Sequence, residues 1–306
     1  LELGIYEPAK PKTPSPAMSF KEATERYIAT HTIHKRNHAS EAGIFRILIK
    51  RWNGLSINEV TKQSVLTLRD DLLKQGRSHS TINHYFNSIS KLYQMITNEL
   101  DIGVPIPTKE IKRMSAKPGR TKRIQGQMEE ILLATCHELG HHLLSSIIQF
   151  AIATGMRRGE IIGLRWSDID LVNRRAFLHT TKNGESRMVP LSSIAVTALS
   201  NLNKRGDGLV FPMSFATLKR QYTKVRNTAY MSWGDEANNP FKDLRFHDLR
   251  HEALSRMSDL GLNVIELSHI SGHKTIAMLA RYTHPSHEAI FNKLDAKFKR
   301  GSQNPT

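Results

Sequence analysis

Cysteine is almost absent from this sequence: Cys136 is the single cysteine among 306 residues. One thiol can form neither an internal disulfide nor a cysteine zinc site, so a hydrophobic core must hold the fold together. Cys136 lies at the end of an apolar stretch that starts at Ile131, and it is predicted to be a buried core residue of a protein in a reducing compartment.

Long apolar runs are also absent. No segment approaches the roughly 18 apolar residues that cross a bilayer, and the N-terminus lacks the apolar core of a secretory signal. These absences predict a soluble intracellular protein without a membrane partner. Residue 1 is Leu rather than Met, which leaves open whether a further N-terminal domain precedes it.

Two signals of cofactor chemistry are missing as well. There is no Gly-x-x-x-x-Gly-Lys-Ser/Thr loop of the kind that cradles nucleotide phosphates. The histidine pairs His141-His142 and His269 with His273 lack a third ligand at a telling spacing, and a chain with 15 histidines produces such pairs by chance. We expect no cofactor and no bound metal.

Positive charge, in contrast, is abundant. Lys and Arg number 44 against 28 Asp and Glu, which gives a net charge of +16, and the basic residues are spread along the whole chain. This excess predicts a polyanionic partner such as nucleic acid. A merely solvated basic surface is the alternative, because charge identifies a class of partner and no chemistry.

The patterning predicts two domains with a leader and a linker. Residues 1–17 are rich in proline and lack apolar periodicity, which indicates a flexible leader. Apolar residues at helical spacing, with helix starts at Ser19 and Thr61, predict a bundle of four or five helices over 18–100. Residues 101–122 form a basic linker, either following a phosphate backbone or serving as a solvated hinge. The second domain covers 123–306.

The second domain is predicted to be mainly helical with a small sheet. An Asn183-Gly184 pair flanked by extended-type residues predicts a β-hairpin over 176–190, with Lys182 beside its turn. Helices are expected at about 128–139, 143–153, 192–203, 214–230, 247–260, 263–270 and 274–281. The fold class is therefore mainly α with a small β-sheet, an α+β catalytic domain, plus an all-α helical-bundle N-terminal domain.

Three short segments place cationic or proton-transferring groups where the chain turns. They are Thr154 to Glu160, Phe246 to Arg250, and Ser271 to His273 followed by Arg281-Tyr282. Taken singly, each segment can be explained without a catalytic role. The residues would then be a surface arginine, two residues that share an exposed helix face, and a half-buried core tyrosine. Their joint order and spacing favour a catalytic site.

In that combination the chain resembles the tyrosine recombinases, the phage integrase family. The family pattern has an Arg in a Thr-Gly-x-Arg-x-x-Glu turn, a hairpin Lys, a His-x-x-Arg helix start, a Gly-His, and a Tyr nine residues after that His. The matching residues here are Arg157, Lys182, His247, Arg250, His273 and Tyr282. The resemblance covers about 123–298. Within this range, stretches of the sequence are especially similar to shufflon-type DNA invertases and the integrases of phages and mobile islands.

These residue types suit phosphodiester cleavage without metal. Two arginines, Arg157 and Arg250, can clamp the non-bridging oxygens as charge grows in the transition state. No Asp/Glu cluster of the kind that holds two metal ions adjoins the motifs. A tyrosine nucleophile forms an aryl phosphate ester that stores the bond energy for resealing, so that no ATP is needed.

The resemblance implies a role for each residue. Tyr282 joins the 3′ phosphate and releases a 5′ hydroxyl, which Lys182 protonates. His247 helps to take the tyrosine proton or binds the phosphate, and His273 donates to a non-bridging oxygen. Glu160 supports Arg157 from behind, unless it is simply an exposed carboxylate in the first turn of a helix.

The function implied is site-specific recombination of double-stranded DNA by integration, excision or inversion through a Holliday junction. The enzyme would act in the bacterial cytoplasm, at the nucleoid, as a homotetramer on two DNA sites, with accessory DNA-bending proteins as further partners. An amphipathic tail at 289–298 is expected to dock on a neighbouring subunit or to fold back on its own domain. Two alternatives remain open: a type IB topoisomerase-like relaxing enzyme, and a catalytically silent DNA-binding regulator.

Overall fold

The structure is a computed structural model of the chain. It describes residues 18–35, 38–115, 120, 122–179, 186–200, 202, 208–280, 282, 291 and 295; the predicted leader, 1–17, lies outside them. The chain divides into two compact units, Leu1–Gly119 and Arg120–Thr306. Within the described residues, no helix has both the length and the apolar character needed to span a membrane.

The first unit is a helical bundle, as its patterning predicts. Ser19 caps the first helix by accepting a hydrogen bond from the backbone N–H of Glu22, and Thr61 and Ser64 form a capping box at the third. The helices are α1 Phe20–Tyr27, α2 His38–Arg51, α3 Lys62–Lys74 and α4 His79–Glu99, with a π-helical turn Ile28–Thr32 after α1.

The first half of the predicted linker packs on this unit. Val104 and Ile111 are buried in its core together with side chains of α1 to α4. Asn83 in α4 donates to the carbonyl of Met114 at 2.8 Å and accepts from its N–H at 3.0 Å. The boundary between the two units therefore falls late in the segment 101–122, after Gly119.

The second unit is mainly helical around a small sheet. Its helices are α5 Met128–Glu138, α6 His142–Thr154, α7 Arg158–Gly163, α8 Ser193–Ser200, α9 Phe215–Ser232, α10 Phe246–Asp259, α11 Val264–Ser271 and α12 Ile276–Leu279, with a 3₁₀ turn Trp166–Asp168. The strands β1 Ile169–Asp170, β2 Arg175–Leu178 and β3 Arg187–Pro190 form an antiparallel sheet in the order β1-β2-β3. Ala176 pairs with Val189 across the predicted hairpin. The predicted fold class is confirmed.

Helix α6 forms the centre of the second unit. Apolar side chains such as Leu144, Ile147, Ile148 and Phe150 are fully buried on it, because it packs against α5, α8 and α10 at once. Cys136 is buried in the same core, as predicted, and burial raises the pKa of its thiol to about 12. The position of α6 matters for function, since its C-terminal end opens the site.

Candidate active site

The site begins where α6 ends. Gly155 closes the helix in the left-handed conformation, with φ 62°, and a Cβ there would lie 3.4 Å from Leu254 Cδ2. The chain then turns so that Arg157 stands immediately before α7. Its guanidinium donates from Nη1 to Glu160 Oε1 at 2.9 Å and from Nη2 to the carbonyl of Gly272 at 2.8 Å. Arg157 is thereby held between two distant parts of the chain.

Glu160 anchors this arrangement from behind. Its side chain is 8% exposed and also accepts from the backbone N–H of Arg157 at 2.8 Å. Arg187 donates to both of its oxygens, at 2.9 and 2.6 Å. Burial alone would raise the pKa of Glu160, but the hydrogen bonds and positive charges of Arg187 and Arg157 lower it below its usual value. The carboxylate is therefore charged and doubly paired, not an exposed residue of a helix start.

Arg187 is a residue of the site that the motifs do not predict. It is the first residue of β3 and also donates from Nε to the carbonyl of Ile270 at 2.9 Å. It thus ties α7 and β3 to the end of α11. One signal was available: strand alternation puts Arg187 on the same inward face as Val189, two residues later.

Arg250 occupies the middle of the site. It lies on α10, is 3% exposed, and donates to the carbonyls of Gly155 at 2.7 Å and Ser271 at 2.8 Å. Burial, together with the positive charge of Arg157, lowers its pKa to about 9, so the guanidinium still carries its charge at neutral pH. Backbone carbonyls from two other segments fix its position.

His273 lies beside Arg250, just after α11. Gly272 ends that helix with φ 65°, and a Cβ on it would lie 2.9 Å from the guanidinium of Arg187, so the position requires glycine. The ring of His273 is hydrogen-bonded through Nδ1 to Ser271 Oγ at 2.8 Å, and its Nε2 lies 3.3 Å from Arg250 Nη2. The tight turn thus brings imidazole and guanidinium together.

His247 is at the start of α10, one turn before a second histidine. Its ring meets that of His251 edge to face, with centroids 4.9 Å apart. Desolvation of the ring, together with the neighbouring His251 and Arg250, lowers the pKa of His247 to about 4. At neutral pH this imidazole is therefore uncharged.

Tyr282 is buried against helix α10, next to His251. Only 6% of it is exposed, and it packs with Leu254, Leu267 and Leu279 in a small apolar cluster. Its hydroxyl is hydrogen-bonded to Nδ1 of His251. The ring of His273 is 6.3 Å away between centroids. The nucleophile predicted from the motif therefore lies within the cluster of histidines and arginines.

His251 is the second site residue that the motifs leave without a role. It is 8% exposed and follows Arg250 directly in the sequence. The available signal was its spacing: a residue four positions after His247 shares the same helix face. The hydrogen bond to Tyr282 depends on the placement of a segment some 30 residues later, which no local pattern specifies.

Two predicted features fall outside the described residues. Lys182 belongs to the segment 180–185, and the tail at 289–298 is described only at Phe291 and Asp295. Among the remaining predicted residues, the structure gathers Arg157, Glu160, His247, Arg250, His273 and Tyr282 into one site. Within the described part of the chain, no three His, Cys, Asp or Glu side chains are grouped so that they could hold a metal ion.

The arrangement suits a phosphate group. Two guanidinium groups, Arg157 and Arg250, offer fixed positive charge and planar donors, which match the oxygens of a phosphodiester. Imidazoles and a tyrosine hydroxyl surround them, so proton transfer and nucleophilic attack are available at the same point.

The sequence is similar to those of known proteins. Residues 122–289 match the sequence model of the phage integrase family. The shufflon-specific DNA recombinase of Escherichia coli is 33% identical over 298 residues, which cover 93% of this chain and 74% of that protein. The integrase of Salmonella phage P22 is 28% identical over 218 residues, covering 63% of this chain and 55% of its own.

Solved structures share the fold. The Tn1549 transposon integrase in complex with circular intermediate DNA superimposes with a TM-score of 0.73 at 19% identity, covering 90% of this chain and 99% of the other. A lambda integrase tetramer bound to a Holliday junction gives a TM-score of 0.70 at 15% identity, covering 89% and 79%. Because the family's sequence model spans more than half of the chain, and a relative at 33% identity spans nearly all of it, the chain belongs to the phage integrase family, the tyrosine recombinases.

Proposed function

We propose that this recombinase exchanges strands between specific DNA sites through a 3′-phosphotyrosyl intermediate on Tyr282. The observation that carries the proposal is the position of the buried Tyr282 hydroxyl in the same site as the guanidinium groups of Arg157 and Arg250. A nucleophile and two fixed cations at one point are what metal-independent attack on a phosphodiester requires.

In the cleavage step, the Tyr282 oxygen forms a bond to phosphorus while the bond from phosphorus to the 5′ oxygen breaks. The 3′ side of the strand becomes an ester of Tyr282, and the 5′ oxygen leaves after taking up a proton, which we assign to Lys182. In the resealing step a 5′ hydroxyl attacks the ester and releases the tyrosine. Bond energy is conserved, so the reaction needs no nucleotide.

Arg157 and Arg250 hold the non-bridging oxygens. Each guanidinium already donates to backbone carbonyls of other segments, so its direction is fixed before DNA arrives and little reorganisation is needed as charge develops. His273, next to Arg250, is placed to donate to the same oxygens. His247 is neutral in the free protein, and its ring N–H can donate a hydrogen bond to a bound phosphate without carrying a charge.

The partners follow from charge and from the relatives. The net charge of +16 fits binding along a DNA backbone, and one relative is named a shufflon-specific DNA recombinase. A structural neighbour was solved as a tetramer bound to a Holliday junction. We propose double-stranded DNA sites, a homotetramer on two of them, and a Holliday junction between two rounds of cleavage. The helical unit would bind DNA as a core-binding domain, and accessory bending proteins would assist assembly.

The test is a covalent complex on DNA that carries the attachment sequence flanking the gene for this protein. A nick placed next to the scissile phosphate lets the released fragment diffuse away, so that the intermediate accumulates. With EDTA present and no ATP, we expect a protein–DNA adduct that survives denaturant, and no adduct with Tyr282→Phe at equal DNA binding. DNA binding without any adduct from the unmodified protein would favour the silent regulator instead.

A further inference from the structure

The hydroxyl of Tyr282 forms a hydrogen bond with His251, one helical turn after the motif residue His247. We infer that His251 takes the proton from Tyr282 during attack and returns it during resealing, while His247 binds the phosphate. The inference rests on the proposed function, since it assigns a role within that reaction.

Geometry supports this assignment first. Nδ1 of His251 and the hydroxyl oxygen of Tyr282 are in direct contact, and the two rings are inclined by 30° with centroids 5.6 Å apart. A general base must lie within hydrogen-bond reach of the proton that it removes, and His251 meets that condition in the resting protein.

The position of His251 is also fixed from several sides. The preceding residue, Arg250, donates hydrogen bonds to the carbonyls of Gly155 and Ser271. On another face of α10, Glu252 is paired with Arg123 at 2.9 Å. Helix α10 is therefore tied to three other segments, and the imidazole can receive a proton without having to move first.

The proton balance closes in both directions. Before attack, His251 is neutral, with its proton on Nε2 and the lone pair of Nδ1 facing the Tyr282 hydroxyl. As the bond from the tyrosine oxygen to phosphorus forms, the hydroxyl proton moves to Nδ1 and an imidazolium results. When the 5′ hydroxyl of DNA attacks the ester, the same proton returns to the leaving tyrosine oxygen. In the proposed reaction, Lys182 gives a proton to the 5′ oxygen during cleavage and takes one from it during resealing.

The experiment separates this transfer from the one at the leaving group. It uses the complete protein, the nicked substrate described above, and a matched substrate in which sulfur replaces the bridging 5′ oxygen. A thiolate leaves without being protonated, so the sulfur substrate removes the need for Lys182 and keeps the need to ionise the tyrosine. We expect it to restore cleavage by Lys182→Ala at pH 7 and not by His251→Asn.

The pH profile distinguishes proton transfer from mere positioning. An asparagine amide can occupy the place of Nδ1 and accept a hydrogen bond, but it cannot take the proton. At pH 7, His251→Asn should form the adduct about 10²- to 10³-fold more slowly. The deficit should shrink towards pH 10, close to the ordinary pKa of a tyrosine hydroxyl, because attack then depends less on a protein base. The charged and titratable groups near His251 include His247, Arg250 and Tyr282, with His273 beside the last two, and all remain in the variant.

His247→Asn is the matched control on the same helix. Because it loses a phosphate contact and not the proton acceptor, its deficit should stay the same from pH 6 to 10. A wild-type rate for His251→Asn, a pH-independent deficit in it, or recovery at high pH in His247→Asn instead would each overturn the inference.

Folding is checked by a cooperative melt and by DNA affinity equal to that of the unmodified protein. If His251→Asn does not fold, the same measurements are made on His251→Gln, whose side chain places the amide on a longer stem. An unmodified protein that forms no Tyr282-dependent adduct would remove the proposed function itself, and the inference with it. If the unmodified protein forms the adduct, the proposed function stands, and the rates of the variants then decide the role of His251.

Discussion

Glu160 is the residue on which the rigidity of the site depends. It is nearly buried and receives hydrogen bonds from two arginines, one of which, Arg157, we place on the scissile phosphate. Buried charges are costly unless they are paired. Removing the carboxylate would therefore leave two guanidinium groups without compensation, close to the positively charged Arg250.

We predict that Glu160→Gln lowers both stability and activity. Breaking a buried pair by removal of one partner costs about 3 kcal/mol or more in the free energy of unfolding. Loss of the fixed direction of Arg157 should slow adduct formation by about 10²-fold. Urea unfolding and the nicked-substrate assay measure the two effects.

The control is Asp259→Asn. Asp259 is 62% exposed and pairs with Arg123 on the surface of the same unit, so its removal should change stability by less than about 1 kcal/mol. Equal losses from the two variants would contradict the role given to Glu160.

At this scale the sequence predicts the groups that we assign to the reaction with the phosphate better than those that support them. Arg157, Arg250, His273 and Tyr282 stand in motifs whose order identifies them. Arg187 and His251 do not, because their roles arise only when β3 meets α11 and when Tyr282 packs against α10. Contacts between residues 31 and 83 positions apart leave no local pattern.

Among the elements, α10 has two different buried faces. One carries Arg250 and His251 into the site. Another carries Asp248 and Glu252, both almost fully buried, which pair with Arg120 at 3.0 Å and Arg123 at 2.9 Å. The basic segment that opens the second unit therefore acts as a structural clamp on α10 as well as a source of positive charge.

This clamp predicts a specific dependence of stability on pH. Burial would raise the pKa of Glu252, but hydrogen bonds from Arg123, the N–H of Ile124 and Arg256 lower it below its ordinary value of 4.5. A carboxylate with a lowered pKa in the folded state stabilises the fold above its unfolded pKa and loses that contribution as the pH falls.

The difference in melting temperature between the unmodified protein and Glu252→Gln should therefore be full at pH 7 and shrink below about pH 4.5. Calorimetry between pH 3 and pH 7 measures it. A difference that is unchanged down to pH 3 would show that the contribution of Glu252 is not electrostatic.

The longer helices could be predicted from their apolar periodicity, whereas α7 and the π-helical turn could not. Helix α4, for example, has several turns of apolar periodicity between Ile82 and Ile96. Ser19 and Thr61 mark the starts of two other helices, because their side chains cap them. Helix α7 has six residues and the π-helical turn five, too few for a periodic signal. Their conformations are set by the segments against which they pack.

The whole molecule consists of two units with separate cores and a large excess of positive charge. The first core gathers residues from α1 to α4, and the second is built around α6. Because each unit buries its own apolar surface, we expect the fragment 120–306 to fold alone. The charge of +16 gives DNA binding a strong electrostatic component.

We therefore predict that DNA affinity falls steeply with salt. Six or more neutralised phosphates would reduce it by at least about 10³-fold between roughly 50 and 200 mM salt. Fluorescence anisotropy with Tyr282→Phe measures this without cleavage. The fragment 120–306 should give a shallower slope, because it contacts fewer phosphates. Equal slopes would show that the helical unit makes no backbone contacts.

The order of the site groups along the chain has a consequence for synthesis. Arg157, Arg250 and His273 all precede Tyr282, so a ribosome adds the groups that we assign to holding the phosphate before the one that we assign to attacking it. Under the proposed mechanism, a chain interrupted between the two lacks the attacking hydroxyl and cannot open a strand. Premature termination would therefore not produce an uncontrolled nuclease.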